Sequence, residues 1–137
     1  AGIRDFPRRG QPMSKQLMEV VLPRLARRLY HHLQNYRAGQ LNDRQFTKKF
    51  EALLQKQFDW LAQRGVPEER AAVAIHGAVL VLSGPGLRAE AEEEKLPLEV
   101  VEFRAVQAAA QEIAAHYDIS QRQAIHQIAA IVAFYGE

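Results

Sequence analysis

Apolar side chains cover every side of the helix that residues 71–82, AAVAIHGAVLVL, would form. A helix that is apolar all round has no face suited to water, so we expect other helices to enclose it. The segment is much shorter than the ~20 apolar residues that cross a bilayer. It therefore predicts a buried central helix, in which His76 is the one side chain with strong hydrogen-bonding needs.

Further segments carry apolar residues on one side at helical spacing, which predicts amphipathic helices around the central one. In the first of them Pro23 either kinks a long helix or lies in the first turn of a shorter helix that begins near Val21. The spacing favours the kinked long helix, because Met18 continues the stripe of Leu25 towards the N-terminus. The five predicted helices cover residues 14–38, 42–64, 67–82, 97–117 and 121–135.

Capping residues support these bounds. Ser14 is suited to cap the first helix, since its hydroxyl can accept a free backbone N–H of the first turn. Asn42 with Gln45, and Ser120 with Gln123, have the spacing of a capping box, in which side chain and backbone bond reciprocally. The second and last helices therefore have the clearest predicted starts.

Proline is predicted at the first helical position of the third and fourth helices, at Pro67 and Pro97. Between those helices, residues 84–96 are rich in glutamate and have no sustained apolar stripe. They predict a mobile acidic connection that can include a helical turn. The whole pattern predicts an all-α fold, a compact bundle of about five helices in one domain, residues 14–137, preceded by a flexible basic leader, residues 1–13.

The composition agrees with one folded domain. The chain has 137 residues, of which 47% are hydrophobic and 25% charged, which is ordinary for a globular protein. It has no cysteine, so disulfides and thiolate metal sites are excluded. No apolar segment of the kind that a secretory signal needs lies near the start, so we expect a cytoplasmic protein.

Charge is distributed unevenly along the chain. Residues 1–70 hold fourteen Lys and Arg against seven Asp and Glu, whereas residues 71–137 hold four against nine. On the first helix, Arg24, Arg27, Arg28 and His31 recur every three or four residues and therefore share one side. Together with Lys48 and Lys49 of the second helix, and Arg4, Arg8 and Arg9 of the leader, they could neutralise phosphates of a nucleic acid.

The basic face has two other interpretations. It could be an ordinary solvated helix face. A membrane-surface role is disfavoured, because the opposite apolar stripe is needed for the core.

Residues 112–131, EIAAHYDISQRQAIHQIAAI, contain a second candidate for nucleic-acid binding. Ala114 precedes a tight break at residues 118–120, and the apolar residues Ala124, Ile128 and Ile131 follow Ser120 by four, eight and eleven positions. This pattern resembles the helix-turn-helix motif of bacterial DNA-binding regulators.

The resemblance implies that the last helix enters a major groove. The side chains it would direct towards bases or phosphates are Gln121, Arg122, Gln123, His126 and Gln127. Asp118 stands where that motif usually has glycine, and Ile125 would lie on or beside the reading face. A capped helical hairpin within a bundle would have the same sequence pattern.

Catalytic chemistry has little support. Glu112 and His116 share a helical face and His126 follows on the next helix, but a metal site needs three or four ligands with an oriented second shell. No serine has a His and Asp arrangement around it, and His76 is best interpreted as a core histidine. We therefore predict no catalytic residue, no metal and no cofactor.

These observations predict a non-enzymatic regulatory or adaptor protein that binds a macromolecule, with nucleic acid favoured. The alternative is a protein–protein interaction module that acts as a homodimer, using the alanine-rich fourth helix or the apolar end of the last helix. An enzyme or a small-ligand pocket around His76 ranks third.

Overall fold

The structure is a computed structural model in which residues 15–136 are described, and six helices account for most of them. We number the helices in chain order: α1 Lys15–Arg37, α2 Asp43–Gln63, α3 Glu68–Leu82, α4 Gly84–Glu94, α5 Leu98–His116 and α6 Gln121–Tyr135. The predicted all-α class is confirmed, but the described residues form six helices and not five. The predictions for residues 1–13 and for Ser14 as a cap lie outside the described residues.

Helix α3 is the centre of the bundle, and it contacts each of the other five helices. Its first turns are enclosed, as the absence of a polar face predicts. The buried residues of α3 are Ala71, Ala72, Val73, Ala74, Ile75, Gly77 and Ala78. His76 and residues 79–82 are only partly buried, so enclosure is complete over residues 71–75 and partial towards the end of the helix.

Gly77 allows α6 to pack closely on α3. A Cβ atom added at this position would lie 2.8 Å from Cδ1 and 2.9 Å from Cγ2 of Ile131, closer than carbon atoms approach in packed proteins. Ile131 is itself fully buried. The missing side chain therefore sets the distance between the central helix and the last one.

Helix α1 is one continuous helix with Pro23 inside it, so the longer of the two alternatives for this segment is correct. Leu25 and Leu29 face the core, together with Leu17, Met18 and Val21 from the turns before Pro23. Pro23 itself is exposed. The solvent side of α1 is consequently available for its polar and charged residues.

The prediction of a mobile acidic connection at residues 84–96 is wrong, because most of this segment is helix α4. Only Ala91 of α4 is buried, which is why no apolar stripe marks it. It packs against α3 and α5, and Arg104 of α5 forms exposed ion pairs with Glu90 and Glu94. It ends at Lys95, which has a left-handed backbone with φ of 57°.

The capping predictions are partly confirmed. Asn42 and Gln45 form both bonds of a capping box at the start of α2. At the start of α6, Ser120 Oγ accepts the backbone N–H of Gln123 at 3.1 Å, which is one of the two predicted bonds. Proline precedes α3 and α5 as the capping residue, one position earlier than predicted, because its ψ near 145° is extended rather than helical.

Candidate nucleic-acid interface

The arginines of α1 lie away from the core and line a depression between α1 and α2. Arg24, Arg27 and Arg28 are exposed, while Leu25 and Leu29 between them are buried. The depression has a volume of about 510 Å³. We call it the basic depression, and it is lined by Arg24, Arg27, Arg28, His31 and Gln57. The helical spacing of the arginines thus places them together, as the sequence predicts.

No carboxylate neutralises these arginines within residues 15–136. None of Arg24, Arg27 and Arg28 forms an ion pair there, whereas Arg104 on α5 lies 3.0 Å from Glu94. Unpaired positive charges that line a concave surface reinforce one another's field and attract anions. The basic depression is therefore suited to a ligand with several negative charges.

Arg24 differs from its neighbours because two residues of α2 hold its guanidinium in place. Its Nε donates to Oε1 of Gln57 at 3.0 Å, and its Cζ lies 4.0 Å from the centre of the Trp60 ring. The guanidinium of Arg64 lies over the same ring at 3.6 Å, and its Nη1 donates to the Trp60 carbonyl at 3.2 Å. Gln57 is only 3% exposed, so its carbonyl oxygen depends on Arg24 for a partner.

Gln57, Trp60 and Arg64 are absent from the predicted site residues. A signal for Gln57 was present in the sequence, since it continues the apolar stripe between Leu53 and Leu61 where helical spacing places a core residue. A polar side chain at such a position needs a hydrogen-bonding partner. The partner itself depends on how α1 and α2 align, which the sequence does not specify.

The two lysines predicted for this surface are placed differently. Lys49 lies near His32 of α1: burial, together with the positive charges of Lys49, His31 and Arg28, lowers the pKa of His32 below its ordinary value of 6.5. Lys49 is exposed and close enough to α1 for its charge to act on His32, but it does not line the basic depression. Lys48 is exposed on α2 and does not line the basic depression.

The residues predicted from the helix-turn-helix resemblance lie along one side of α6. Gln121, Arg122, Gln123 and His126 are exposed, and Gln127 is half-buried. A second depression, of about 550 Å³, is lined by Arg122, Gln123, Ile125, His126, Gln127 and Ala129. Arg122 is the only arginine or lysine among these lining residues.

The opposite side of α6 is the buried one. Ala124, Ile128 and Ile131 are fully buried against the rest of the bundle. Ile125 is half-buried and packs against the same core, so it is not a freely exposed apolar residue beside the polar side chains. A short break of residues 117–120 joins α5 to α6, which is common to a helix-turn-helix motif and to a helical hairpin.

The predicted residues form two surfaces and not one. The first lies on α1 and α2 and the second on α6, and the backbones of α1 and α2 do not run alongside that of α6. Both rest on α3. The Tyr135 hydroxyl donates to the Lys15 carbonyl at 3.2 Å, but this bond lies at the opposite end of α6 from Arg122.

His76 and His116 lie outside these surfaces, and Glu112 is close to both of them. His116 Nδ1 lies 2.9 Å from the Glu112 carbonyl oxygen and 3.7 Å from its carboxylate. Burial lowers the pKa of His76 below 6.5, and the nearby Glu112 carboxylate opposes that shift. No group of three or more His, Asp or Glu side chains within residues 15–136 is placed to hold a metal ion.

Among the described residues, no single helix has the length and apolar character that a membrane span needs. Helices α3 and α4 together reach that length and apolar character, but a bend of 60° separates them.

Comparisons with models of protein families, with curated proteins and with solved structures find no match for this chain.

Proposed function

We propose that this protein is a non-enzymatic, all-helical regulatory or adaptor domain that binds nucleic acid through the basic depression. The observation that carries the proposal is the group of arginines at positions 24, 27 and 28, which no carboxylate of residues 15–136 neutralises. Contacts from arginine to phosphate release counterions, do not depend on base sequence and weaken with salt. Binding by this surface is therefore indifferent to sequence.

The exposed side of α6 is proposed as a second contact that adds base selectivity. Gln and Arg side chains can make paired hydrogen bonds to base edges in the major groove. Gln121, Arg122 and Gln123 lie in the first turn of α6, where residues of a recognition helix contact bases. The basic depression would supply most of the affinity, and α6 would bias the choice of site.

A mobility-shift titration at about 50 mM salt, with duplex DNA, single-stranded DNA and RNA, tests the proposal. The triple variant Arg24→Glu, Arg27→Glu, Arg28→Glu is expected to abolish binding. A matched control changes three exposed cations elsewhere, Arg44→Glu, Arg88→Glu and Lys95→Glu, with the same change of net charge. Absence of a shift with all three nucleic acids, or an equal loss in the control, would overturn the proposal.

The role of α6 has a separate test. The double variant Arg122→Ala, Gln123→Ala is expected to keep low-salt binding but to change which sequences a random duplex pool yields after selection. Unchanged selected sequences would remove α6 from the interface. They would leave the basic depression as the only proposed contact.

A homodimer is the second candidate, and exposed aromatic residues of α5 and α6 favour it. Phe103 is 52% and Phe134 is 54% exposed. A groove of about 350 Å³ lies between the two helices, with Phe103 and Val106 on one wall and Ala129 and Ala133 on the other. Exposed apolar side chains beside a groove of small residues are typical of association surfaces.

Sedimentation over a wide concentration range tests this candidate. A dimer predicts a mass that rises with concentration in the wild type and stays monomeric in Phe103→Glu. A monomer at the highest concentration would exclude the homodimer and would leave the nucleic-acid proposal unaffected.

A further inference from the structure

Arg24 is the one cation of the basic depression whose guanidinium is fixed by other side chains. An arginine has five N–H donors. Gln57 accepts the Nε–H of Arg24 at 3.0 Å, and Trp60 covers one face of the guanidinium at 4.0 Å. The four N–H bonds of the two Nη groups have no acceptor within residues 15–136. They are therefore available to a ligand and already oriented.

Gln57 holds Arg24 through one end of its amide group. Its carbonyl oxygen accepts from Arg24, so its amide nitrogen is turned away from that bond. This nitrogen has no hydrogen-bond partner among the described residues, although the side chain is nearly fully buried and lines the basic depression. Within residues 15–136 the one buried side-chain nitrogen or oxygen without a partner is His32 Nδ1, so the Gln57 nitrogen does not require an anion as its acceptor. Gln57 therefore acts on a ligand in the depression through its bond to Arg24.

Arg27 and Arg28 lack comparable support. Neither side chain makes a hydrogen bond, an ion pair or a ring contact with another described residue. A free arginine loses side-chain entropy when it binds an anion in one geometry, whereas a fixed arginine has already lost it on folding. Arg24 therefore loses less side-chain entropy than Arg27 or Arg28 when the same anion binds.

We propose that Arg24, positioned by Gln57 and Trp60, forms a phosphate-binding subsite that accepts two oxygens of one phosphate group in a fixed geometry. Arg27 and Arg28 contribute charge without fixed geometry. The inference deepens the proposed nucleic-acid function and takes the phosphate of that nucleic acid as its ligand. Gln57 and Trp60 are positioning residues, since they act on the phosphate through Arg24.

The first test separates geometry from charge. Arg24→Lys and Arg28→Lys both keep the positive charge, but lysine cannot make the planar paired contact with phosphate. Arg24→Lys is expected to weaken binding of a labelled oligonucleotide about tenfold, the loss typical of a charge-assisted hydrogen bond. Arg28→Lys, the matched control, is expected to change the binding of this oligonucleotide less than about twofold. Both variants should keep the wild-type salt dependence.

The second test concerns positioning. Gln57→Met keeps the volume of the buried side chain but removes the carbonyl acceptor and the amide donors. Because Arg24 is then no longer held, the variant is expected to bind as weakly as Arg24→Lys. Combining the two substitutions should add little further loss, since both remove the same contact. Full additivity would show that Gln57 does not act through Arg24.

The third test does not need nucleic acid. Trp60 is the only tryptophan of the chain, so its fluorescence reports on the ring that Arg24 covers. Inorganic phosphate, titrated at ionic strength held constant with chloride, is expected to cause a saturable change of this fluorescence. The change should vanish in Arg24→Lys and persist in Arg28→Lys.

The outcomes distinguish this inference from the proposed function. Equal effects of Arg24→Lys and Arg28→Lys, with binding still abolished by the triple glutamate variant, would overturn the phosphate subsite alone. A phosphate-induced change that depends on Arg24, with no binding of DNA or RNA, would support the subsite and overturn the nucleic-acid function. A phosphate titration without any change that depends on Arg24 would overturn the subsite.

Discussion

The surface on α1 and α2 and the surface on α6 differ in how their polar groups are held. Around the basic depression three arginines lie within five residues of one helix, and a buried glutamine and a tryptophan hold one of them. The exposed side of α6 has one arginine, Arg122, among glutamines and a histidine. The first surface concentrates charge, and the second offers varied hydrogen-bonding groups. A ligand that touched both would gain affinity at one and discrimination at the other.

The largest difference between the surfaces is expected in their salt dependence. Replacing Arg24, Arg27 and Arg28 by Gln should lower the slope of log binding constant against log salt by about 3, and Arg122→Gln by about 1 at most. At about 50 mM salt the triple variant should lose at least about a hundredfold in affinity for duplex DNA. Fluorescence anisotropy at several salt concentrations measures both quantities. Equal slopes for the two variants would mean that charge is not what distinguishes the surfaces.

Stability offers the next largest contrast, because α6 depends on one close contact with α3. Gly77→Ala places a methyl group against Ile131, and overpacking of this kind costs about 1–3 kcal/mol. That cost exceeds the roughly 0.5–1 kcal/mol that alanine gains over glycine inside a helix. The midpoint of urea unfolding should fall accordingly.

Gly86→Ala is the matched control for Gly77→Ala. Gly86 lies in helix α4, and a Cβ atom there meets nothing within 4 Å, so the substitution should be neutral or stabilising. Replacing Ile131 by Val in the Gly77→Ala background should recover part of the loss, since it removes the Cδ1 atom. If Ile131→Val does not recover any stability, the strain caused by Gly77→Ala does not lie between α3 and α6.

Both surfaces show which parts of this protein follow from local sequence pattern. The spacing of Arg24, Arg27 and Arg28 predicts that they share a side, because helical periodicity alone determines it. The bond from Arg24 to Gln57 joins residues of two helices, and its formation depends on how those helices align. Local pattern therefore predicts the charge of the basic depression but not the residues that shape it.

Helix α4 shows the same limit for the fold. Hydrophobic periodicity detects helices that bury a stripe, and α4 buries only Ala91. Its ion pairs come from Arg104, ten or more residues further along the chain. A charged segment without a stripe predicts a mobile connection, because nothing within the segment indicates these tertiary contacts.

A smaller contrast concerns the two glutamines at the third positions of α2 and α6. Gln45 Oε1 accepts the backbone N–H of Asn42 at 3.0 Å, whereas the side chain of Gln123 makes no hydrogen bond with another described residue. Gln45→Ala should therefore lower the free energy of unfolding by about 0.5–1 kcal/mol. Gln123→Ala should leave it nearly unchanged. Equal losses would show that Gln123 is part of the cap and not free to contact a ligand.

The smallest expected contrast is in the response to pH, and it compares His32 with His76. Both imidazoles have a pKa below the ordinary value of 6.5, His32 because of burial and the charges of Lys49, His31 and Arg28, and His76 because of burial opposed by Glu112. As the pH falls, the two imidazoles are therefore protonated at a higher pH in the unfolded chain than in the folded protein. The stabilisation from the neutral imidazoles is complete above pH 6.5 and declines as the pH falls below it.

Urea unfolding at pH 7.5 and 5.5, at low and high salt, separates the two histidines. His32→Gln and His76→Gln should each reduce the loss of stability between these pH values. Salt screens the repulsion between His32 and its cationic neighbours, and it also screens the attraction between His76 and Glu112. Added salt should therefore weaken the pH dependence contributed by His32 and should not weaken that of His76. A wild-type pH dependence in both variants would mean that neither imidazole titrates differently in the folded protein.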